Sequence, residues 1–206
     1  MIGIIILGGG GHASVVAEAL RAAGEDVLGF TDRDLSEATL AGDIRCLGTD
    51  DIIADHDPGT VRLAIGIGSV KPSSARMKLY EEFRERGYRF VTVIHPSAVV
   101  AGDTELGEGA QIMAGAVVQP GCKIGEATII NTQASIDHDC MIGRFVHVAP
   151  GATLSGGVTV GDGSHIGVGA TIVQSVSVGT TALVTAGAIV VADVSAGAKY
   201  GADLDR

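Results

Sequence analysis

From Ile94 to Val190 every sixth residue is aliphatic: Ile94, Val100, Leu106, Ile112, Val118, Ile124, and so on through seventeen uninterrupted positions. Four residues after each step the side chain is small or β-branched, as at Ala98, Thr104, Ala110, Cys122, Ala134 and Ser164. Gly107, Gly125, Gly143, Gly161 and Gly179 add a second period of eighteen. A period of six inside a period of eighteen describes a three-sided prism, with one short strand per side in every coil. Such coils bury their apolar faces only by stacking, as in parallel β-helices. The aliphatic position points inward, the small one fits the corner, and the glycines are expected to supply backbone geometry that other residues resist. Stacked coils lie ~4.8 Å apart, so residues eighteen apart are vertical neighbours.

Before Ile94 the pattern differs. Ile2 to Leu7 is a continuous aliphatic run, which reads as a buried parallel strand. The turn Gly8-Gly9-Gly10-Gly11-His12 follows, and Val15, Val16, Ala19, Leu20 and Ala23 carry helical spacing up to Gly24. Asp26 to Thr31 predicts a second strand ending at Asp32. Arg33 to Pro58 is irregular and acidic, with a short strand near Ile44–Leu47. Val61 to Ile65 predicts a strand running into Gly66-Ile67-Gly68-Ser69. Pro72 is placed in the first turn of a helix with Ala75, Leu79 and Phe83 on one face. Arg89 to Ile94 is read as the last strand. The fold expected is thus a small Rossmann-like α/β domain over residues 1–93, a parallel β-helix over 94–191, and a polar tail over 192–206.

Charge and composition narrow the function. The net charge of −10 divides as −4 before Ile94 and −6 from it onward, so neither half is a basic nucleic-acid surface. No apolar run is long enough for a membrane span, and Met1 leads directly into a strand-like run with no secretory signal, so a cytoplasmic protein is expected. Cys122 and Cys140 stack one coil apart. Their separation permits a disulfide, but a reducing compartment favours two buried thiols.

Candidate chemistry falls in two places. Gly8 to Ala13 fits the dinucleotide fingerprint G-x-G-x-x-A, with Asp32 where a ribose-binding acid would sit. In the helix, His138 is an outward corner residue between Asp137 and Asp139, stacked between Pro120 and Gly156. A glycine one coil up leaves room for a substrate. A carboxylate can hold one imidazole nitrogen and leave the other to accept a proton. From the residues alone two readings stand: a general base, or a surface histidine between two acids.

The combination of Gly9-Gly10-Gly11-His12-Ala13, Ile94-His95-Pro96-Ser97-Ala98-Val99, Ile130-Asn131-Thr132 and Asp137-His138-Asp139-Cys140 resembles the bacterial nucleotide-sugar acetyltransferases of the PglD/NeuD/PerB type. The resemblance covers nearly the whole chain. It implies a left-handed β-helix, a homotrimer with active sites at subunit boundaries, acetyl-CoA as co-substrate and no metal. It implies a nucleotide-linked amino sugar as acceptor. His138 inherits the role of general base and Asp139 that of its acidic partner. Asn131, His147, Gly156, Val168 and Ala186 match positions that contact the acetyl group or CoA. Gly10, Gly11, His12, Asp32, Arg33, Gly66 and Ser69 match the nucleotide-sugar site. His165, one coil above His147, is expected to pack and not to react. Arg33, Lys71 and Arg76 are the basic residues available to an anionic ligand. The chain departs from the family at Ala198-Lys199-Tyr200-Gly201-Ala202-Asp203, which lacks the usual proline, and at Ile67-Gly68-Ser69, where an Asn or Asp is usual after the glycine.

The function expected is N-acetylation of a nucleotide-linked amino sugar. O-acetylation of a sialic-acid-type sugar would use the same residues. A non-catalytic nucleotide-sugar-binding subunit is opposed by the presence of His138. A zinc enzyme of the γ-carbonic anhydrase kind is opposed by the spacing of His138, His147 and His165, which puts the first two on different faces. An NAD-dependent enzyme is opposed by the small number of strands.

Overall fold

The computed structural model describes residues 2–33, 39–40, 43–72 and 74–202. The N-terminal sheet is built from β1 (Gly3–Leu7), β2 (Val27–Thr31), β3 (Thr39–Leu40), β4 (Ile44–Gly48), β5 (Val61–Ile65) and β6 (Arg89–Phe90), in the order β3-β4-β2-β1-β5-β6. All pairings are parallel except β3 with β4. Helix α1 (Gly11–Ala22) connects β1 to β2, and α2 (Ala75–Glu85) connects β5 to β6. Because β2 and β5 flank β1 on opposite sides, the chain reverses its winding at β1, and a crevice opens at the carboxyl ends of these strands. A 3-10 turn over Asp50–Asp55 occupies part of the stretch read as irregular; residues 34–38 and 41–42 of that stretch lie outside the described residues.

Helix α2 differs from expectation. It begins at Ala75, three residues after Pro72, and its buried positions are Arg76, Tyr80 and Phe83. Ala75 is exposed. The strand expected over Arg89–Ile94 also divides: Arg89–Phe90 joins the N-terminal sheet, while Val93–Ile94 is the first rung of the solenoid.

The solenoid is a prism of three parallel sheets with seven, six and five rungs. Its register is the one the sequence dictates: Gln111 pairs with Ile129, Ile129 with His147, and His147 with His165. The inward residues Ile112, Ile130, Val148 and Ile166 are all fully buried. Cys122 and Cys140 are buried free thiols whose sulfurs face the carbonyls of Asp137 and Ser155.

Two details correct the sequence reading. Left-handed backbone recurs at every sixth residue from Gly109 to Gly187, two positions later in the coil than the glycine ladder. It falls on Gly109, Gly115 and Gly121, and also on Ala127, Gln133, Asp139 and Phe145. The ladder of Gly107 to Gly179 serves close approach instead: a Cβ on Gly125 would lie 2.5 Å from the carbonyl carbon of Gly143. The pattern also continues beyond Val191. Val194 bridges to Val178, and Lys199–Tyr200 pairs with Leu183–Val184, so the expected tail forms a last coil two residues shorter than the others. Residues 203–206 lie outside the described residues.

The N-terminal domain sits on the seven-rung face, and this placement builds the site. Outward-pointing residues on the other faces, such as Val99 and Thr153, are exposed, whereas Gln111, Ile129, His147 and His165 are buried. Leu20, Val93 and Met113 share one apolar cluster across the junction, and Tyr80 packs edge-on against Phe145 at 5.5 Å. No helix among the described residues is long and apolar enough to cross a membrane.

Candidate active site

The crevice at the ends of β1, β2 and β5 is a cleft of about 790 Å³ lined by Gly8, Gly9, Gly10, Asp32, Arg33 and Gly66, with Asp50 and Lys78 on its rim. The Asp32 carboxylate accepts the Gly9 N–H at 2.8 Å, and a Cβ at Gly9 would collide with it at 2.5 Å. Gly10 and Gly11 meet nothing within 4 Å, so their backbone is open to a ligand. They begin α1, whose first turn carries no side-chain cap; such N–H groups attract anions. Gly66 is a wall, packed against Ala13. Arg76 corrects the expectation that it serves an anionic ligand. Its guanidinium is buried and donates to the carbonyls of Ile67 and of Ala127, the latter at 2.8 Å. Burial draws its pKa down to about 9, so it stays charged at neutral pH.

A second cavity of about 480 Å³ lies between the domains, bounded by His12, Gly68, Ser69, Lys71, Asn131 and His147. Hydrogen bonds fix both imidazoles. The Gln111 amide nitrogen donates to the Ile65 carbonyl at 2.8 Å, so its oxygen faces His12 Nε2, also at 2.8 Å, and Nε2 carries the proton. His147 Nδ1 donates to the Ser69 carbonyl at 2.8 Å, with the Ser69 hydroxyl at 3.1 Å. The Asn131 oxygen accepts the Thr132 N–H at 2.8 Å, so its amide nitrogen donates to His147 Nε2 at 3.0 Å. Burial, followed by the charge of Arg76, draws the His12 pKa down to about 4. Burial, followed by the neighbouring His165, draws that of His147 down to about 3. Both rings are therefore neutral near pH 7.

His138 is held differently. Its Nδ1 lies 2.8 Å from the Asp139 carboxylate, and its backbone N–H donates to Asp137 at 2.8 Å. Asp139 occupies the left-handed corner position, φ 59, which turns its carboxylate back toward the ring. The hydrogen bond to Asp139, then the charge of Asp137, raises the His138 pKa above the ordinary value. The space opened by Gly156 is filled by the imidazole itself: a Cβ there would lie 2.6 Å from Nε2.

Within one chain the expected residues form two groups. His12, Ser69, Asn131 and His147 converge between the domains. Val168 and Ala186 line an adjoining pocket of about 250 Å³ with Ser69 and His147. His138, Asp139 and Gly156 stand at another corner of the prism, after the six-rung face. Among the described residues no group of His, Cys, Asp or Glu is arranged to hold a metal ion.

Comparison with known proteins agrees with this architecture. Residues 3–83 match the PglD N-terminal domain, and residues 103–138 and 121–156 match the bacterial transferase hexapeptide model of six repeats. A mutant of perosamine N-acetyltransferase from Caulobacter crescentus, solved with CoA and GDP-perosamine, superposes with a TM-score of 0.90 at 39% identity, over 96% of this chain and 92% of that one. This chain belongs to the nucleotide-sugar acetyltransferases of the PglD/NeuD/PerB type. Another member of similar shape is the acetyltransferase domain of PglB from Neisseria gonorrhoeae with acetyl coenzyme A, at TM-score 0.90 and 34% identity over 96% and 95% of the chains. WeeI from Acinetobacter baumannii follows at TM-score 0.80 and 26% identity, over 98% of both. A comparison with curated proteins gave no match.

Several residues of this acetyltransferase's cavities escaped the sequence reading: Gln111, which fixes His12, and Asp50 and Lys78 at the cleft. Gln111 could have been found. It is a polar outward residue two coils below His147 on the same face, between Val93 and Ile129 in its column.

Proposed function

We propose that this chain is an acetyl-CoA-dependent N-acetyltransferase of a nucleotide-linked amino sugar, with His138 as general base. The observation that carries this reading is the His138–Asp139 pair. With Nδ1–H donated to Asp139, Nε2 keeps its lone pair on an exposed edge and can take a proton from an attacking amine. The amine nitrogen attacks the thioester carbonyl carbon directly, the proton passes to Nε2, the C–S bond breaks, and the CoA thiolate leaves.

The nucleotide would lie in the cleft at Gly10, Gly11, Asp32 and Arg33, with its phosphates toward the open first turn of α1. The sugar would extend past His12 and Ser69 toward Asn131 and His147. In one protomer that path does not reach His138, which stands at another corner. A trimer in which His138, Asp139 and Gly156 of one subunit face the Asn131–His147 cavity of the next satisfies both groups at once. CoA would then run between subunits along Gly156 on one side and Val168 and Ala186 on the other.

The test is thiol release from acetyl-CoA with a panel of UDP-, GDP- and dTDP-linked 4-amino sugars. One amino sugar is expected to release CoA, and His138→Ala to lower kcat by about 10³-fold. Reaction with sialic acids alone would replace N- by O-acetylation. Unchanged activity in the alanine variant would remove His138 from the mechanism.

A further inference from the structure

Arg76 stands where a cation costs the fold most. It is the second residue of α2, at the positive end of the helix dipole, and it is 3% exposed. No carboxylate among the described residues forms an ion pair with it. An apolar side chain of similar size in such a place often serves stability as well or better. Breaches of local rules of this kind concentrate where function requires them.

What the guanidinium holds is the wall between two cavities. Nη1 donates to the Ile67 carbonyl and Nη2 to the Ala127 carbonyl at 2.8 Å, so one side chain joins the segment after β5 to a corner of the solenoid. Ile67 and Gly68 line the cleft and also the cavity between the domains. The segment is anchored on either side: the Gly66 N–H donates to the Leu7 carbonyl at 2.8 Å, and the Ser69 carbonyl receives His147 Nδ1. Between these anchors Arg76 sets the Ile67–Gly68 peptide. A trans peptide carries its C=O and N–H on opposite sides. With its carbonyl drawn toward Arg76, this peptide turns the Gly68 N–H the other way, and that N–H has no acceptor among the described residues. A cation on the carbonyl also polarises the peptide and makes its N–H a stronger donor. The partner suited to such a donor is an anionic oxygen. In a chain of net charge −10, backbone donors strengthened from behind help to hold a polyanion.

We propose that Arg76 is a positioning residue of the acceptor site: through the Ile67 carbonyl it aims the Gly68 N–H at the diphosphate of the sugar nucleotide. Arg76 itself does not touch the ligand. This rests on the nucleotide-sugar reading of function and adds to it a residue that acts from behind the wall of the cleft.

The experiment measures binding of UDP, GDP, dTDP and CoA by titration calorimetry for wild type, Arg76→Met and Arg76→Lys. Methionine fills much of the space without a donor, whereas lysine keeps the charge and a single donating group. The expected result is a Kd for the tightest-binding nucleoside diphosphate raised about tenfold by Arg76→Met and about threefold by Arg76→Lys, with the Kd for CoA within about twofold of wild type. In the thiol-release assay both variants should raise the KM for the amino sugar and leave kcat nearly unchanged. An unchanged diphosphate Kd in Arg76→Met would overturn the proposal. So would equal losses of diphosphate and CoA affinity, which mark a general loosening of the domain junction, or a fall in kcat at unchanged acceptor KM. Should the methionine variant not fold, Arg76→Lys decides by the same criteria. Failure of the wild type to bind any of the three nucleoside diphosphates would overturn the functional reading beneath it.

Discussion

His138 and His147 are nine residues apart on one regular solenoid, yet they differ in almost every physical respect. His138 stands at an open corner with its side chain 62% exposed, beside two carboxylates that raise its pKa. His147 lies under the N-terminal domain, 7% exposed, with both nitrogens bonded and its pKa drawn down to about 3. The coil places one at a corner after the six-rung face and the other on a strand of the seven-rung face. The burial of His147 comes from the N-terminal domain, which covers the seven-rung face. A base that must gain and lose a proton near neutral pH suits the first environment. A neutral ring that joins the Ser69 loop to the solenoid suits the second.

The sharpest way to break this contrast is Gly156→Ala. The new methyl would occupy the place of the His138 ring without touching His147. Because the ring is an exposed, movable side chain, the fold should survive with Tm nearly unchanged, while displacement of the imidazole lowers kcat by about 10²-fold. Wild-type kcat in this variant would show that the ring need not rest on the glycine.

Acidification addresses the covered face. His12, His147 and His165 have folded pKa values of about 4, 3 and 4, below the unfolded value near 6.5. Between these limits the unfolded chain binds more protons than the folded one, so stability is full above about pH 6.5 and falls as the pH drops toward 4. The slope is at most about 1.4 kcal/mol per imidazole per pH unit. Calorimetric Tm values at pH 7.0 and 5.5 should differ by several degrees, and His147→Asn should reduce that difference. A Tm independent of pH over this interval would contradict neutral burial.

The smallest effect is expected from Asp139→Asn. Its carboxylate is the leading cause of the raised His138 pKa, so its loss moves the rising limb of the kcat/KM–pH profile to lower pH. Poorer orientation of the ring lowers kcat by roughly tenfold at neutral pH. An unmoved limb would separate Asp139 from His138 in solution.

The solenoid was legible in the sequence because its rule is one-dimensional. A period of eighteen placed His165 over His147 and Gly156 over His138, and the strand register agrees. Periodicity could not say which outward residues would be covered, since that depends on where another domain docks. Ala75, Leu79 and Phe83 share a helical face by spacing, yet Ala75 is exposed while the charged Arg76 is buried, because two backbone carbonyls receive its guanidinium. The eighteen-residue glycines were visible, but their cause was not. Sequence offers no way to tell a left-handed φ from a backbone passing too close for a methyl group.

A stack of equal coils has no natural last member. Its end rung offers unpaired N–H and C=O groups on which another chain could continue the ladder indefinitely, as in fibrous cross-β assemblies. The shortened coil from Val194 to Tyr200 breaks that translational symmetry, because its residues fall two places out of step with the eighteen-residue repeat. At the opposite end α1 covers the Val93 rung, whose side chain is buried with Leu20. At the Val93 end the seven-rung sheet is thus covered by the chain itself, as repeat proteins require of their capping units.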